Sequence, residues 1–399
     1  MGPLTADQRD LLDLVRAYAG DRLAPRAAAD ERAGLFPRDL LAELGSMDLM
    51  GLPFPEELGG SGQPYGVYLR VVEELARAFL SVGLSLSVHT LSTWAVVTHA
   101  PAPLRDRVAH RLTAGEWLGA YSLSEPASGS DAAALSTRAV RDDDAYVVNG
   151  TKAWVTHGGE ADFYLLLCRT AEHRTRGVSA LYVPADTPGL SFAPPERKMG
   201  LRSSPTRQVR YDDARVPAGH LLGREGDGFA IAMRALDGGR LGIAACAVGL
   251  AQCALDHAVA YARAREQFGR PIGDFQGVGF MLAEMATKVA AARALYLEAA
   301  ARRDAGREYR RMAAMAKLFA TDTAMAVTVD AVQVFGGYGY VADYPVERLM
   351  REAKVLQIVE GTNQIQRLVV SRSLLGDGSA PQAPTAGGLP DNGSAPAGA

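Results

Sequence analysis

The sequence predicts an α+β protein: an N-terminal helical domain, a central antiparallel β domain and a C-terminal helix bundle. Three observations carry this. Apolar residues recur at helical spacing from Thr5 to about Glu116. From about Trp117 to Leu222 they fall into short β-branched and aromatic runs bounded by turn residues. From about Gly226 to Gly376 long alanine-rich stretches return to helical spacing. Domain limits follow at 1–116, 117–225 and 226–376. The last stretch, 377–399, lacks bulky residues and is expected to be a disordered tail.

In the first domain Thr5 is placed to cap a helix, with Gln8 three residues on and Leu11, Leu12, Leu14 and Val15 behind it. Pro53, Pro55, Gly59 and Gly60 interrupt the pattern. Helical spacing resumes over Tyr68–Phe79 and Leu84–Val97. In the second domain LGAYSLS, AYVVNG, KAWVTHG, FYLLLCR and VSALYVP read as strands. Asp142–Asp143–Asp144 and Asn149–Gly150 stand where hairpin turns are expected. In the third, helices are expected over Phe229–Arg265, Gln276–Asp304 and Arg310–Phe335, with apolar faces broad enough for a bundle.

The 399 residues are 48% hydrophobic, enough for a large core. Net charge is −3 and no basic stripe is present, so nucleic acid is not an expected partner. Cys168, Cys246 and Cys253 are odd in number and lack metal-ligand spacing, which points to a reducing cytoplasm and to no metal site. No apolar run is read as long enough to span a bilayer, which takes about 18 residues. The N-terminus, MGPLTADQRDLL, reads as a polar helix start and not as a secretory signal. No dinucleotide-binding GxGxxG follows a strand, and no Walker loop, HExxH or nucleophile elbow occurs.

Chemistry-bearing residues cluster in a few stretches. YSLSEPASGSD, Tyr121 to Asp131, offers small hydroxyls and free backbone N–H groups suited to a polar ring edge or to phosphates. WVTHGG places Trp154 and Thr156 two residues apart, on one side of a strand. Arg265 ends a long helix, and FGGYGY follows another with three glycines that permit close backbone approach. VLQIVEGTNQIQR sets Glu360 after an apolar run, where partial burial would raise its pKa and make it a better base. Of the seven histidines, His157 adjoins the WVT strand and is placed to touch whatever that strand binds. Arg302, Arg303, Arg307, Arg310 and Arg311 read as a solvated helix connection.

Taken in order, EPASGSD, VNGTKAWVTHGG, REQFGRPIGDFQ, AKLFATD, QVFGGYGY and DYPVERLMREAKVLQIVEGTNQIQR closely resemble the acyl-CoA dehydrogenase family, from about residue 5 to residue 375. The resemblance implies that the bundle has four helices and that FAD lies between it and the β domain. It implies a homotetramer, a dimer of dimers, in which a neighbouring subunit touches each flavin. Glu360 matches the α-proton base, which would take the pro-R α-proton of an acyl-CoA as hydride leaves the β-carbon for the flavin. The Glu360 N–H would support the thioester oxygen, and Gly361 matches a substrate contact. Tyr121, Leu123, Ser124 and Ser130 match positions along the flavin edge. Trp154 and Thr156 match the ring-stacking and N5-bonding residues. Thr362 and Gln364 match contacts to the ADP half. Arg265, Phe268, Gln276, Gln333 and Gly337 match residues reaching FAD across a subunit boundary. Ser130, Asp237 and Arg240 match contacts to CoA.

Some relatives carry the base on the long helix beside Arg240; here that place is Gly239, which favours Glu360. The run GGRLGIA with AKLFATD resembles members acting on short or branched acyl groups, in fatty acid or branched-chain amino acid breakdown, with an electron-transfer flavoprotein as acceptor. Alternatives on the same fold are an acyl-carrier-protein dehydrogenase or oxidase of secondary metabolism, or a non-catalytic flavoprotein.

Overall fold

The computed structural model describes residues 4–376. The expected disordered tail, 377–399, lies outside them. The N-terminal domain holds six helices: α1 (Ala6–Tyr18), α2 (Ala24–Ala33), α3 (Arg38–Ser46), α4 (Tyr65–Ala78), α5 (Leu80–His99) and α6 (Ala102–Thr113). Thr5 Oγ1 accepts from Gln8 N, and the Gln8 side chain accepts from Thr5 N, so both orphan donors of the first turn are used. A single π turn, Ala19–Leu23, joins α1 to α2.

The β domain is one eight-stranded sheet built from β1 (Gly119–Ser122), β2 (Arg138–Asp142), β3 (Ala145–Thr156), β4 (Phe163–Arg169), β5 (Val178–Pro184), β6 (Leu190–Phe192), β7 (Thr206–Pro217) and β8 (Leu221–Leu222). Strand order is β6-β7-β3-β2-β4-β5-β8, with β1 on β4. Most pairings are antiparallel. β1 and β2 run parallel to β4, because the chain passes through the β2–β3 hairpin before returning to the sheet. β4 explains why FYLLLCR has no polar alternation. Phe163, Leu165 and Leu167 join a core with Leu91, Ile231 and Ala235, while Tyr164, Leu166 and Cys168 join another with Val148, Val209 and Tyr211.

Of the two expected hairpin turns, Asp143–Asp144 makes one, Asp143 taking a positive φ of 51°. Asn149–Gly150 does not. It lies inside β3, where the register against β7 shifts between Val148 and Gly150. Asn149 donates through Nδ2 to Asp213 Oδ1 at 2.9 Å, which fixes a bulge in place of a turn.

The C-terminal domain starts with α7 (Gly228–Ala264), 37 residues and so about 55 Å long. The small hairpin β9 (Glu266–Gln267) and β10 (Arg270–Pro271) leads to α8 (Gln276–Asp304) and α9 (Arg310–Phe335). α10 (Pro345–Leu356) and α11 (Asn363–Leu375) follow. α7, α8 and α9 pack side by side, α10 lies along α7 and α9, and α11 lies along α9. α4 and α5 dock on α7, and Glu73 of α4 accepts from Arg293 Nε and Tyr296 OH of α8.

One expectation is overturned. Three helices are long and apolar enough to cross a membrane by length and composition: Leu80–His99, Gly228–Ala264 and the segment Arg310–Tyr340. Their apolar windows are 94%, 67% and 50% buried inside the protein, so helix packing already accounts for much of that hydrophobicity.

Candidate active site

α10 ends at Leu356, and the chain reaches α11 through a turn in which Glu360 and Gly361 both take positive φ, 52° and 91°. For glutamate this is an uncommon backbone state, and such states concentrate at functional sites. The turn aims the Glu360 carboxyl at α7. A methyl group added at Gly239 would overlap Glu360 Oε2 and come within 2.6 Å of Leu91 Cδ1. Gly239 is therefore what makes room for the carboxylate. Glu360 Oε2 is shielded from solvent and has no hydrogen-bond partner. Burial pushes the carboxyl up to about 7, opposed by the charges of Lys317 and Arg240. Among the described residues the Glu360 N–H donates to no protein acceptor, so it is available to an oxygen held beside the carboxylate.

Gly239, Leu91, Thr90, Tyr65, Asp237 and Arg303 are among the residues lining a cavity of about 600 Å³ next to that carboxylate. One turn further along α7 a methyl group on Gly242 would overlap Ser87 Oγ, so α5 and α7 touch and leave no space at that level. Asp237 accepts from Arg240 Nη1 at 2.7 Å and from Arg310 Nε at 3.1 Å. The arginine-rich connection is not simply solvated, as expected from sequence. Arg303 packs its guanidinium over the Tyr65 ring at 3.4 Å, and Arg307 and Arg310 also line the cavity.

On the β-domain side, Tyr121 donates its hydroxyl to Ala232 O of α7 at 3.3 Å, and the charge of Glu360 acts on it. Leu123 and Ser124 lie against β3: Lys152 Nζ donates to Leu123 O at 2.9 Å and Ala153 N to Ser124 O at 2.8 Å. Trp154, next along, sits at an irregularity of β3 with a φ of 61° and is 63% exposed. Val155 is buried, and Thr156 returns to the half-buried face. An exposed aromatic plane with hydroxyls beside it fits a planar, polar ring system. Ser130 is exposed at the loop tip. Its loop is anchored by Glu125, which accepts from Ser136 N, Thr137 N and the fully buried Lys152 Nζ.

Sequence reading gave no role to Glu125 or Lys152, although both fall inside quoted motifs. The signal was present: a Glu and a Lys among small residues, 27 positions apart. Only the fold pairs them. His157 is a different correction. It is fully buried, with Nδ1 on Gly119 O and Nε2 on Ser85 Oγ, both at 2.9 Å. Burial pushes it down to about 4, so it is a neutral tie between β1, β3 and α5 and has no face for a ligand.

Thr362 caps α11, its Oγ1 accepting from Ile365 N at 3.3 Å, with exposed Gln364 in the first turn. Arg265, Phe268, Gln276, Gln333 and Gly337 gather elsewhere. Arg265 lies over Tyr338 at 5.5 Å, and Phe268, Gln276, Gln333 and Gly337 are exposed. Arg265 is 26 residues beyond Gly239 on α7, about 39 Å along the helix. One chain does not bring this group to Glu360.

Replacing Gly239 by alanine should push the Glu360 carboxyl out of line while leaving the fold intact. We expect an unchanged melting temperature within a few degrees and turnover lower by about 10²-fold. Stopped-flow kinetics with differential scanning fluorimetry checks both.

Comparison with known proteins gives a consistent picture. Residues 5–116, 120–214 and 226–375 match the family models for the N-terminal, middle and C-terminal domains of acyl-CoA dehydrogenase. The chain is 46% identical to an acyl-CoA dehydrogenase of Bacillus subtilis, covering 94% of this chain and 99% of that one. It is 43% identical to cyclohexane-1-carbonyl-CoA dehydrogenase of Geobacter metallireducens, covering 92% and 97%. The solved butyryl-CoA dehydrogenase of Megasphaera elsdenii superposes with a TM-score of 0.92 at 40% identity, covering 94% of this chain and all of that one.

Proposed function

We propose that this chain, an oxidoreductase that belongs to the acyl-CoA dehydrogenase family, desaturates a short or branched acyl-CoA between its α- and β-carbons, with Glu360 as the α-proton base. The observation that carries this is the Glu360 carboxyl: it has a buried, unpartnered oxygen, abuts Gly239, which lines a cavity of about 600 Å³, and sits beside an uncommitted N–H.

The family is generally FAD-dependent, and the residues present fit that group. Tyr121, Leu123, Ser124, Ser130, Trp154 and Thr156 would hold the flavin from the β-domain side. Thr362 and Gln364 stand at the N-terminus of α11, which suits a phosphate. FAD, when bound, supplies the hydride acceptor for the β-carbon. The protein's own part is proton removal and placement. Glu360 takes the α-proton, and its N–H donates to the thioester oxygen, which makes that proton easier to remove. Asp237 with Arg240, Ser130 and Gly361 would line the CoA path. The closure between Gly242 and Ser87 favours short acyl groups, and the cyclohexane-1-carbonyl-CoA and butyryl-CoA enzymes among its relatives support that reading.

The remoteness of Arg265, Phe268, Gln276, Gln333 and Gly337, and the exposure of the last four, support their serving a neighbouring subunit's FAD in a homotetramer. Phe268 and Tyr340, 94% and 88% exposed, are apolar rings that a neighbour would cover. Electrons would leave to an electron-transfer flavoprotein. Three free thiols, two of them fully buried, support a reducing, cytoplasmic setting.

The direct test is anaerobic bleaching of the yellow holoenzyme by a panel of acyl-CoA thioesters. Four- and five-carbon chains, straight or branched, should bleach it. A twelve-carbon chain should be slower by about tenfold or more in kcat/KM. Bleaching only by acyl-carrier-protein thioesters, or by none, would contradict the reading.

A further inference from the structure

The stretch AKLFATD on α9 meets the turn that carries Glu360. Lys317 is 0% exposed. Its ammonium donates to Gly361 O at 3.0 Å and to Asn363 Oδ1 at 2.9 Å. Asn363 donates in turn through Nδ2 to Thr321 Oγ1 at 2.9 Å and Asp322 Oδ1 at 2.7 Å. Thr321 donates to the Lys317 carbonyl at 2.8 Å, closing the network back onto α9. Gln366, also fully buried, gives Gly361 O its second donor at 2.9 Å.

No carboxylate pairs with Lys317 among the described residues. A buried cation without a counter-ion is a poor core filler. A leucine or methionine would fill the space more cheaply. What the cation adds is two strong, directed bonds to the residues on either side of Thr362, and a charge facing the base. Two consecutive left-handed residues, one of them glutamate, persist only where the surroundings over-determine them.

We propose that Lys317 is the positioning residue of this site: by donating to Gly361 O and Asn363 Oδ1 it holds the Glu360–Gly361 turn left-handed and keeps the carboxyl aimed at Gly239. This rests on Glu360 being the base.

The groups facing Glu360 are Lys317 from α9, Arg240 and Cys246 from α7, Tyr65 and Tyr68 from α4, and Tyr121 from β1. Only two of these are cations, and Arg240 already shares its charge with Asp237. Burial lowers the Lys317 ammonium to about 7, with Glu360 and Asp322 opposing that shift and Arg240 adding to it, so its charge acts on Glu360 up to about that pH. Removing its charge therefore raises the pKa of Glu360 and moves the pH dependence of proton removal to higher pH.

The experiment uses FAD-loaded Lys317→Met, Lys317→Arg and Glu360→Gln, with flavin reduction by butyryl-CoA followed from pH 5 to 9. Lys317→Met should reduce at least about tenfold more slowly with KM little changed, and its pH limb should shift up by about half a unit or more. Amide hydrogen exchange over residues 358–363 should quicken. Lys317→Arg keeps the charge and loses the two-acceptor geometry, so it should slow the reaction with an unmoved limb. Wild-type rate and limb in Lys317→Met overturn the proposal; if that variant does not fold, wild-type rate and exchange in Lys317→Arg do so. Flavin reduction retained in Glu360→Gln removes the base assignment, and the inference with it. An inert Glu360→Gln beside a wild-type Lys317→Met removes the inference alone.

Discussion

Glu360→Gln is expected to bind FAD and acyl-CoA yet reduce the flavin about a thousandfold more slowly. Glutamine keeps the shape of the side chain and cannot accept the α-proton. The same substitution should change stability with a definite sign. The folded carboxyl titrates at about 7, above its ordinary value of 4.5, so between those values the folded state holds a proton that the unfolded chain releases. Stability therefore falls as pH rises from about 4.5 through about 7. Above that window the wild type carries a buried charge that glutamine lacks. Glu360→Gln should be more stable by roughly 2 kcal/mol at pH 8 and indistinguishable from the wild type at pH 4. Melting curves of the apoprotein at the two pH values check this without any turnover.

Lys152→Met should be the most damaging single change in the β domain, by about 3–5 kcal/mol. It strands Glu125, 4% exposed, without its cation. Burial alone would raise the Glu125 carboxyl. Lys152, Thr137 and Ser136 instead hold it down to about 2. Its stabilising effect is thus present above the ordinary carboxylate value and lost as pH falls toward about 2. In Lys152→Met the loss should begin at higher pH. The loop from Glu125 to Thr137, which carries Ser130, should loosen and FAD affinity should drop. A second change, Glu125→Leu, should restore part of the stability by removing the stranded charge. Chemical denaturation of the three variants at pH 7 and pH 4 measures this, and a wild-type midpoint for Lys152→Met would mean the pair is structurally idle.

What was legible in the sequence is what local chemistry encodes. The helices Gln276–Asp304 and Arg310–Phe335 were read to the residue because their alanine-rich stretches keep helical spacing throughout. The Thr5–Gln8 capping box is local in the same way. Glu360 was legible as a charge where an apolar run meets a glycine. Contacts made only in three dimensions were not. Gly239 announced an absence of carboxylate in the sequence; only the packing of α7 against the turn shows that its missing side chain is the space the base occupies. Lys317 lies 43 residues before Glu360, and nothing in the sequence spacing pairs the two. Asn149–Gly150 carried a strong turn signal that cross-strand bonds to Asp213 converted into a bulge. The apolar length of α5 was not seen in the sequence, where only Leu84–Val97 was read as helix; the full helix Leu80–His99 is long and apolar enough to span, yet its apolar window is 94% buried.

The most direct test of Glu360 as a buried base is stopped-flow reduction of the holoenzyme by butyryl-CoA and its α-deuterated form, without oxygen, from pH 5 to 9. The rate should rise through about pH 7 and be slowed by the α-deuterium, with both behaviours absent in Glu360→Gln. A rate that is flat across that range and indifferent to the isotope would contradict it.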